Sequence, residues 1–152
     1  MRYCGGKSRI AKDLVPVIQS FVGSNYLEPF VGGCNICDRI QADKKIGADI
    51  NPYLIALLKH AQSKPEDFPY TILSDEYELV RLHKENYPEW YVGLCGFLAS
   101  YGGKFFGGYA RHYHGDESGK LCAGSIKKLL QQNLDNIEFV VADYHDFSEL
   151  EG

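Results

Sequence analysis

The strongest constraint on this chain is a short apolar strand that runs directly into paired glycines. Within Tyr26-Leu27-Glu28-Pro29-Phe30-Val31-Gly32-Gly33, the stretch Asn25 to Phe30 reads as a buried strand and Val31-Gly32-Gly33 as a tight turn. Asn35 to Ile40 then reads as a short helix. Strand, glycine turn and helix in that order form the first unit of an open α/β sheet. Such sheets bind ligands in the crevice beyond the carboxyl ends of their strands. Glycine lets the backbone approach a ligand closely, and a helix start offers unpaired N–H groups. Roughly 20 residues further on, the spacing at which nucleotide-binding sheets carry a ribose-binding acid, a second strand, Lys45 to Ile50, carries Asp49 at its end. The glycines do not follow G-x-G-x-x-G, which points to a ribose-bearing ligand other than a dinucleotide. A packing turn followed by a helix-capping Asp is the alternative.

The rest of the pattern alternates in the same way. Ser8 to Phe21 reads as a helix capped by Ser8, with Ile10, Leu14, Val17, Ile18 and Phe21 at helical spacing and Pro16 inside it. Asn51-Pro52 opens a helix to about Ser63, with Asn as cap and Pro at the first position. Asp75 to Asn86, capped by Ser74 or Asp75, and Glu89 to Leu98 read as helices. Tyr101 to Gly119 reads as a loop, Ser125 to Leu134 as helix and Glu138 to Ala142 as a strand. Asp143 to Leu150 begins another connection. The expected fold class is α/β with a mainly parallel sheet. It makes one domain over 1–152, with 75–133 as a helical and loop insertion without strands.

Composition narrows the class. In 152 residues, 45% hydrophobic and 24% charged is the balance of a folded domain. The apolar stretches are too short to span a membrane, and the first residues lack a signal peptide's apolar core, so an intracellular, cytoplasmic protein is expected. The formal net charge of −4 argues against a general polyanion binder. The charge is unevenly spread, however. Arg2, Lys7, Arg9 and Lys12 stand without an acid near the start, whereas Asp135, Glu138, Asp143, Asp146, Glu149 and Glu151 stand without a base near the end. Cys4, Cys34, Cys37, Cys95 and Cys122 are odd in number, which argues against a disulfide framework. The single C-x-x-C has no second pair to complete a zinc site. His112 and His114 have no supporting ligands nearby either, so no metal is expected.

Four runs together resemble the Dam-like, phage-type DNA N6-adenine methyltransferases. Glu28-Pro29-Phe30-Val31-Gly32-Gly33 is similar to that family's motif I, and Tyr3-Cys4-Gly5-Gly6-Lys7 to its N-terminal aromatic-x-G-G-K. Asp49-Ile50-Asn51 resembles its D-x-N, and Asp143-Tyr144 its D-F/Y pair. Residues 101–111, Y-G-G-K-F-F-G-G-Y-A-R, resemble the insertion of phage members. The resemblance covers essentially the whole chain. It implies a Rossmann-like methyltransferase sheet and S-adenosylmethionine as cofactor. The methionine end would lie over Gly32 and Gly33, the ribose would meet Asp49 beside Asn51, and the adenine would be read by Asp143 and the backbone of Tyr144. Tyr3 and Lys7 would line the cofactor and target-base pocket together with Glu28, Pro29 and Phe30. A Lys near the zwitterionic methionine end suits its carboxylate; a solvated lysine before a helix is the alternative. The implied partner is double-stranded DNA, met by the insertion through Lys104, Tyr109 and Arg111, since aromatics stack on bases and cations meet phosphates. A packed aromatic loop is the alternative there.

One family motif is missing. The D/N-P-P-Y/F signature, which accepts hydrogen bonds from the target amine, does not occur; Asn51-Pro52-Tyr53 lacks the second proline. No catalytic residue is therefore assigned. A sheet without its remaining strands has an unpaired edge. The expectation is a fragment of a longer enzyme, half of a split enzyme completed by a C-terminal polypeptide, or a catalytically silent cofactor- or DNA-binding module that associates through that edge.

Overall fold

A computed structural model describes residues 1–112 and 118–148. Three strands, β1 (Asn25–Glu28), β2 (Lys44–Asp49) and β3 (Ile137–Val141), form one parallel sheet in the order β1-β2-β3. Tyr26 lies opposite Lys45, and Gly47 opposite Phe139. This is the open parallel α/β arrangement expected from the sequence; β1 starts at Asn25 as expected, and the other strand boundaries shift by a residue or two.

Helix α1 (Ala11–Gln19) starts later than Ser8, because Lys7–Arg9 form a 3-10 turn instead. Ile10 holds the cap position, and no side chain caps it. Ala11 packs with Ile36 and Ile40 in a small core of its own, joined by Leu14, Val15 and Ile18. The expected helix at Asn35 to Ile40 does not form; residues 32–39 are a succession of turns. Cys34 sits at φ 55, outside right-handed helix, and the Cys37 N–H donates to Glu28 Oε2 at 3.0 Å rather than to a preceding carbonyl.

Helix α2 (Pro52–Ser63) begins and ends where its signals place it. Asn51 Oδ1 accepts from the N–H groups of Tyr53 and Leu54, at 3.0 and 3.2 Å. The buried face of α2 is Leu54, Ile55, Leu57, Leu58 and Ala61. Helix α3 (Ser74–Leu82) has Leu73 at its cap position with no side-chain cap, and it gives way to a 3-10 turn at Lys84–Asn86. Helix α4 (Glu89–Gly93) continues directly as a π-helical turn, Leu94–Leu98. Helix α5 (Lys120–Leu130) starts ahead of the expected Ser125, behind Gly119 at φ 74. A side chain at Gly119 would meet Thr71 Oγ1 at 2.4 Å, and that hydroxyl donates to Gly119 O at 2.7 Å.

The segment between α2 and β3 is built into the main core rather than laid over it. Tyr77, Val92, Leu94, Leu98, Cys122 and Leu129 belong to the same buried cluster as Val31, Leu54 and Phe139. Among the described residues it contributes no strand beyond an isolated bridge between Ser100 and Tyr109. No helix among the described residues is long and apolar enough to cross a membrane. His114 and the end of the connection after Ser148 lie outside the described residues.

Candidate functional site

The carboxyl ends of β1 and β2 open onto a crevice of about 200 Å3. Its roof is the N-terminal segment. The Cys4 N–H donates to Gly103 O at 3.2 Å, and the Tyr3 ring lies 5.6 Å from that of Phe97. Its floor is the turn after β1. Gly32 has φ 49, and a side chain there would come within 3.1 Å of the Tyr3 ring. One at Gly33 would come within 2.8 Å of Asn35 Nδ2 and 2.9 Å of Met1 O. The glycines are thus needed for the turn to pass under the N-terminal segment, a packing requirement at the wall of the crevice itself.

Two buried carboxylates face this space. Asp49 Oδ1 accepts from the Asn51 N–H at 3.0 Å and Oδ2 from the Gly32 N–H at 3.3 Å. The strand end therefore holds the glycine turn directly. Each carboxylate oxygen keeps a second lone pair. Glu28 Oε2 accepts from Cys37 N–H, and Oε1 lies 3.4 Å from Lys7 Nζ, which also donates to Phe30 O at 3.3 Å. Burial pushes the Glu28 carboxyl above its ordinary range, and the Lys7 ammonium only partly opposes it. Burial, followed by the charge of Asp49, likewise holds the Tyr3 phenol in its neutral form.

The third strand ends beside β2. Ala142 N–H donates to Asp49 O at 3.1 Å, which sets Asp143 beside the end of β2. Asp143 caps a 3-10 turn, Tyr144–Phe147: its Oδ1 accepts from His145 N–H at 2.9 Å, while its own N–H donates to Asp146 Oδ2 at 2.9 Å. The Tyr144 ring lies 5.4 Å from that of Phe30.

Of the residues singled out in the sequence, Tyr3, Lys7, Glu28, Phe30, Gly32, Gly33 and Asp49 line one crevice. Asp143 and Tyr144 stand at its edge, joined to it through Asp49 and Phe30. Pro29 and Asn51 do not line it. The Asn51 side-chain oxygen serves as the cap of α2. Gly5, Gly6 and Val31, which stand in the quoted runs but have no ligand role assigned there, also line the crevice, as do Asn35 and Ile36. Asn35 and Ile36 carry no sequence signal beyond their nearness to the Gly32-Gly33 turn.

In the insertion, Lys104 and Arg111 are exposed. Tyr109 is a correction: it is 6% exposed, its hydroxyl donates to Ile72 O at 2.8 Å, and its ring packs 5.5 Å from that of Tyr77. It anchors the loop rather than presenting a ring for stacking. The Arg111 guanidinium lies 5.6 Å from the Tyr109 ring.

An ammonium, two buried carboxylates and a tightly turned backbone around one small space suit a ligand with a zwitterionic end and a vicinal diol. The sequence model of the D12 class N6 adenine-specific DNA methyltransferase family matches residues 3–151 of the chain. No curated protein matches it.

Proposed function

The chain belongs to the D12 class N6 adenine-specific DNA methyltransferase family, and on that premise we propose that it holds S-adenosylmethionine between Tyr3, Glu28 and Asp49 for methyl transfer to N6 of adenine in double-stranded DNA. The family is Rossmann-like in fold, and the open parallel sheet agrees with it. The observation that carries the proposal is the buried Asp49 carboxylate at the end of β2, bound to the glycine turn that closes β1.

Each residue then has a task that its chemistry fits. Asp49 takes the ribose hydroxyls on its remaining lone pairs. Lys7 pairs with the methionine carboxylate, and Glu28, facing the same space, accepts from the methionine ammonium. Asp143 and the Tyr144 backbone read the adenine, with the Phe30–Tyr144 pair against its ring. When bound, S-adenosylmethionine supplies an electrophilic methyl group on a positively charged sulfur. Lys104 and Arg111 meet DNA phosphates, and Tyr109 holds their loop in place.

The acceptors for the target amine come from elsewhere, because D-P-P-Y does not occur in these 152 residues. Positioning of that amine carries much of the rate of such a displacement. An extension of the sheet, by further chain or by a second polypeptide, would supply it at one of the edge strands β1 and β3, each of which pairs only with β2 among the described residues. The setting is the cytoplasm of a bacterium or phage-infected host, in a phage or restriction–modification role.

Titration calorimetry with S-adenosylmethionine tests the cofactor assignment. Wild type is expected to bind and Asp49→Ala to bind roughly tenfold more weakly or worse, the loss of about 1.4 kcal/mol that charge-assisted hydrogen bonds exceed. Absence of binding by wild type overturns the cofactor assignment, and equal binding by both overturns the ribose contact. The missing motif favours one second reading, a silent module that binds cofactor or DNA without turnover. Methylation of an adenine-containing duplex by the isolated chain excludes that module.

A further inference from the structure

Nothing in the local sequence around Gln132 marks it, yet its side chain reaches across the molecule to the cofactor turn. Gln132 follows α5, and its Nε2 lies 3.1 Å from Gly33 O, 2.9 Å from Cys34 O and 3.1 Å from Asp38 Oδ2, residues 94 to 99 positions away. Its Oε1 accepts from the Met1 amino group. A single half-buried amide thus ties the glycine turn, the start of the chain and the β1–β2 connection together.

That turn is also held at Gly32 N–H by Asp49, at Cys37 N–H by Glu28 and at Gly33 O by the Met1 amino group, 2.9 Å away, but among the described residues the Cys34 carbonyl accepts a hydrogen bond from Gln132 alone. The turn is not helical, and its internal backbone bonds are few: Cys34 N–H to Val31 O, then Arg39 and Ile40 N–H to Ile36 O. Gly32 at φ 49 and Cys34 at φ 55 are both left-handed, and a cysteine resists that conformation unless its surroundings impose it. The Cys34 carbonyl that follows from this geometry is the one that Gln132 binds.

We propose that Gln132 is a positioning residue for the methyl-donor crevice: by fixing the carbonyls of Gly33 and Cys34 from beneath, it sets the backbone that Gly32 and Gly33 present to the ligand. The proposal rests on the assignment of this crevice to S-adenosylmethionine. Gln132 does not line the crevice itself.

Gln62 gives a matched control. Its amide also bridges two carbonyls across a long loop, donating to Leu134 O at 2.6 Å and Ile137 O at 2.9 Å, away from the crevice. The variants are Gln132→Met, Gln132→Asn, which keeps the amide but shortens its reach and perturbs the fold less, and Gln62→Met. Each is measured for thermal midpoint, for S-adenosylmethionine affinity by calorimetry, and for amide hydrogen exchange over Gly32–Ile36. Both Gln132 variants are expected to lose affinity by roughly tenfold or more, as happens when a supporting contact behind a binding surface is removed. They are also expected to exchange faster over Gly32–Ile36. Gln62→Met is expected to lower the thermal midpoint with affinity and exchange there unchanged. Wild-type affinity in the folded Gln132 variants, or equal losses in Gln62→Met, overturns the positioning role and leaves the cofactor assignment standing. Failure of wild type itself to bind S-adenosylmethionine overturns both. Should Gln132→Met not fold, Gln132→Asn and its exchange pattern decide the matter.

Discussion

Burial raises the Glu28 carboxyl above the ordinary glutamate value of 4.5 even with Lys7 beside it, and this has a measurable sign. A raised value in the folded state means that the fold favours the protonated acid. The contribution is complete below 4.5 and is lost as pH climbs through the folded value. Glu28→Gln keeps an oxygen for the Cys37 N–H and cannot ionise. Its thermal midpoint is expected to rise relative to wild type between about pH 4 and about pH 8. A gap that stays constant across that range removes the argument. In the 101–112 loop, Lys104→Ala and Arg111→Ala are each expected to weaken duplex binding and to reduce the slope of log affinity against log salt by about 1. Tyr109→Phe is expected to cost about 1 kcal/mol of stability through its lost bond to Ile72 O, with DNA affinity unchanged. Anisotropy titrations at several salt concentrations separate the two behaviours, and a DNA defect in Tyr109→Phe would restore the ring to the interface.

Elements were legible where their signals are local. Asn51-Pro52 fixes the start of α2, because the cap oxygen and the proline act within one turn. Asn51→Ala is therefore expected to lose about 1 kcal/mol, roughly 2–4 °C at this length, while Asn51→Ser keeps most of it. S-adenosylmethionine affinity is expected to be untouched in both; a loss of affinity in Asn51→Ser would return Asn51 to the site. The crevice residues Glu28, Gly32, Gly33 and Asp49 were legible for the same reason, as they sit at strand ends. Where long-range contacts decide, the sequence pattern misled. Cys34 is left-handed with its carbonyl bound by Gln132, and the helix expected at Asn35 to Ile40 does not form. Helix α5 begins at Lys120 because Gly119 packs on Thr71, some way off in sequence. The π-helical turn after α4 has no sequence signature. It follows the point where Gly93 lies against α2 so closely that a side chain would come within 2.2 Å of Tyr53 O. Gly93→Ala is expected to destabilise by about 1–3 kcal/mol or more, read by chemical denaturation.

At the scale of the whole molecule, the segment between α2 and β3 and the sheet share one core, so the 101–112 loop and the crevice are parts of a single packed body. Some apolar surface remains exposed among the described residues. Ile10, Val17 and Phe21 are exposed on and beside α1, and β1 is one of the two outer strands of the sheet. If β1 pairs between copies, sedimentation of the isolated chain is expected to depend on concentration; a single invariant species would leave that edge to a different chain. The sheet itself carries a further consequence. Its central strand meets its last one in register, Lys45 against Ile137, only after every helix from α2 to α5 has intervened. The entropy of closing so long a connection must be met before that pairing gives anything back. Refolding after dilution from denaturant should then be slow for a chain this rich in helix, with β3 the last strand to gain protection.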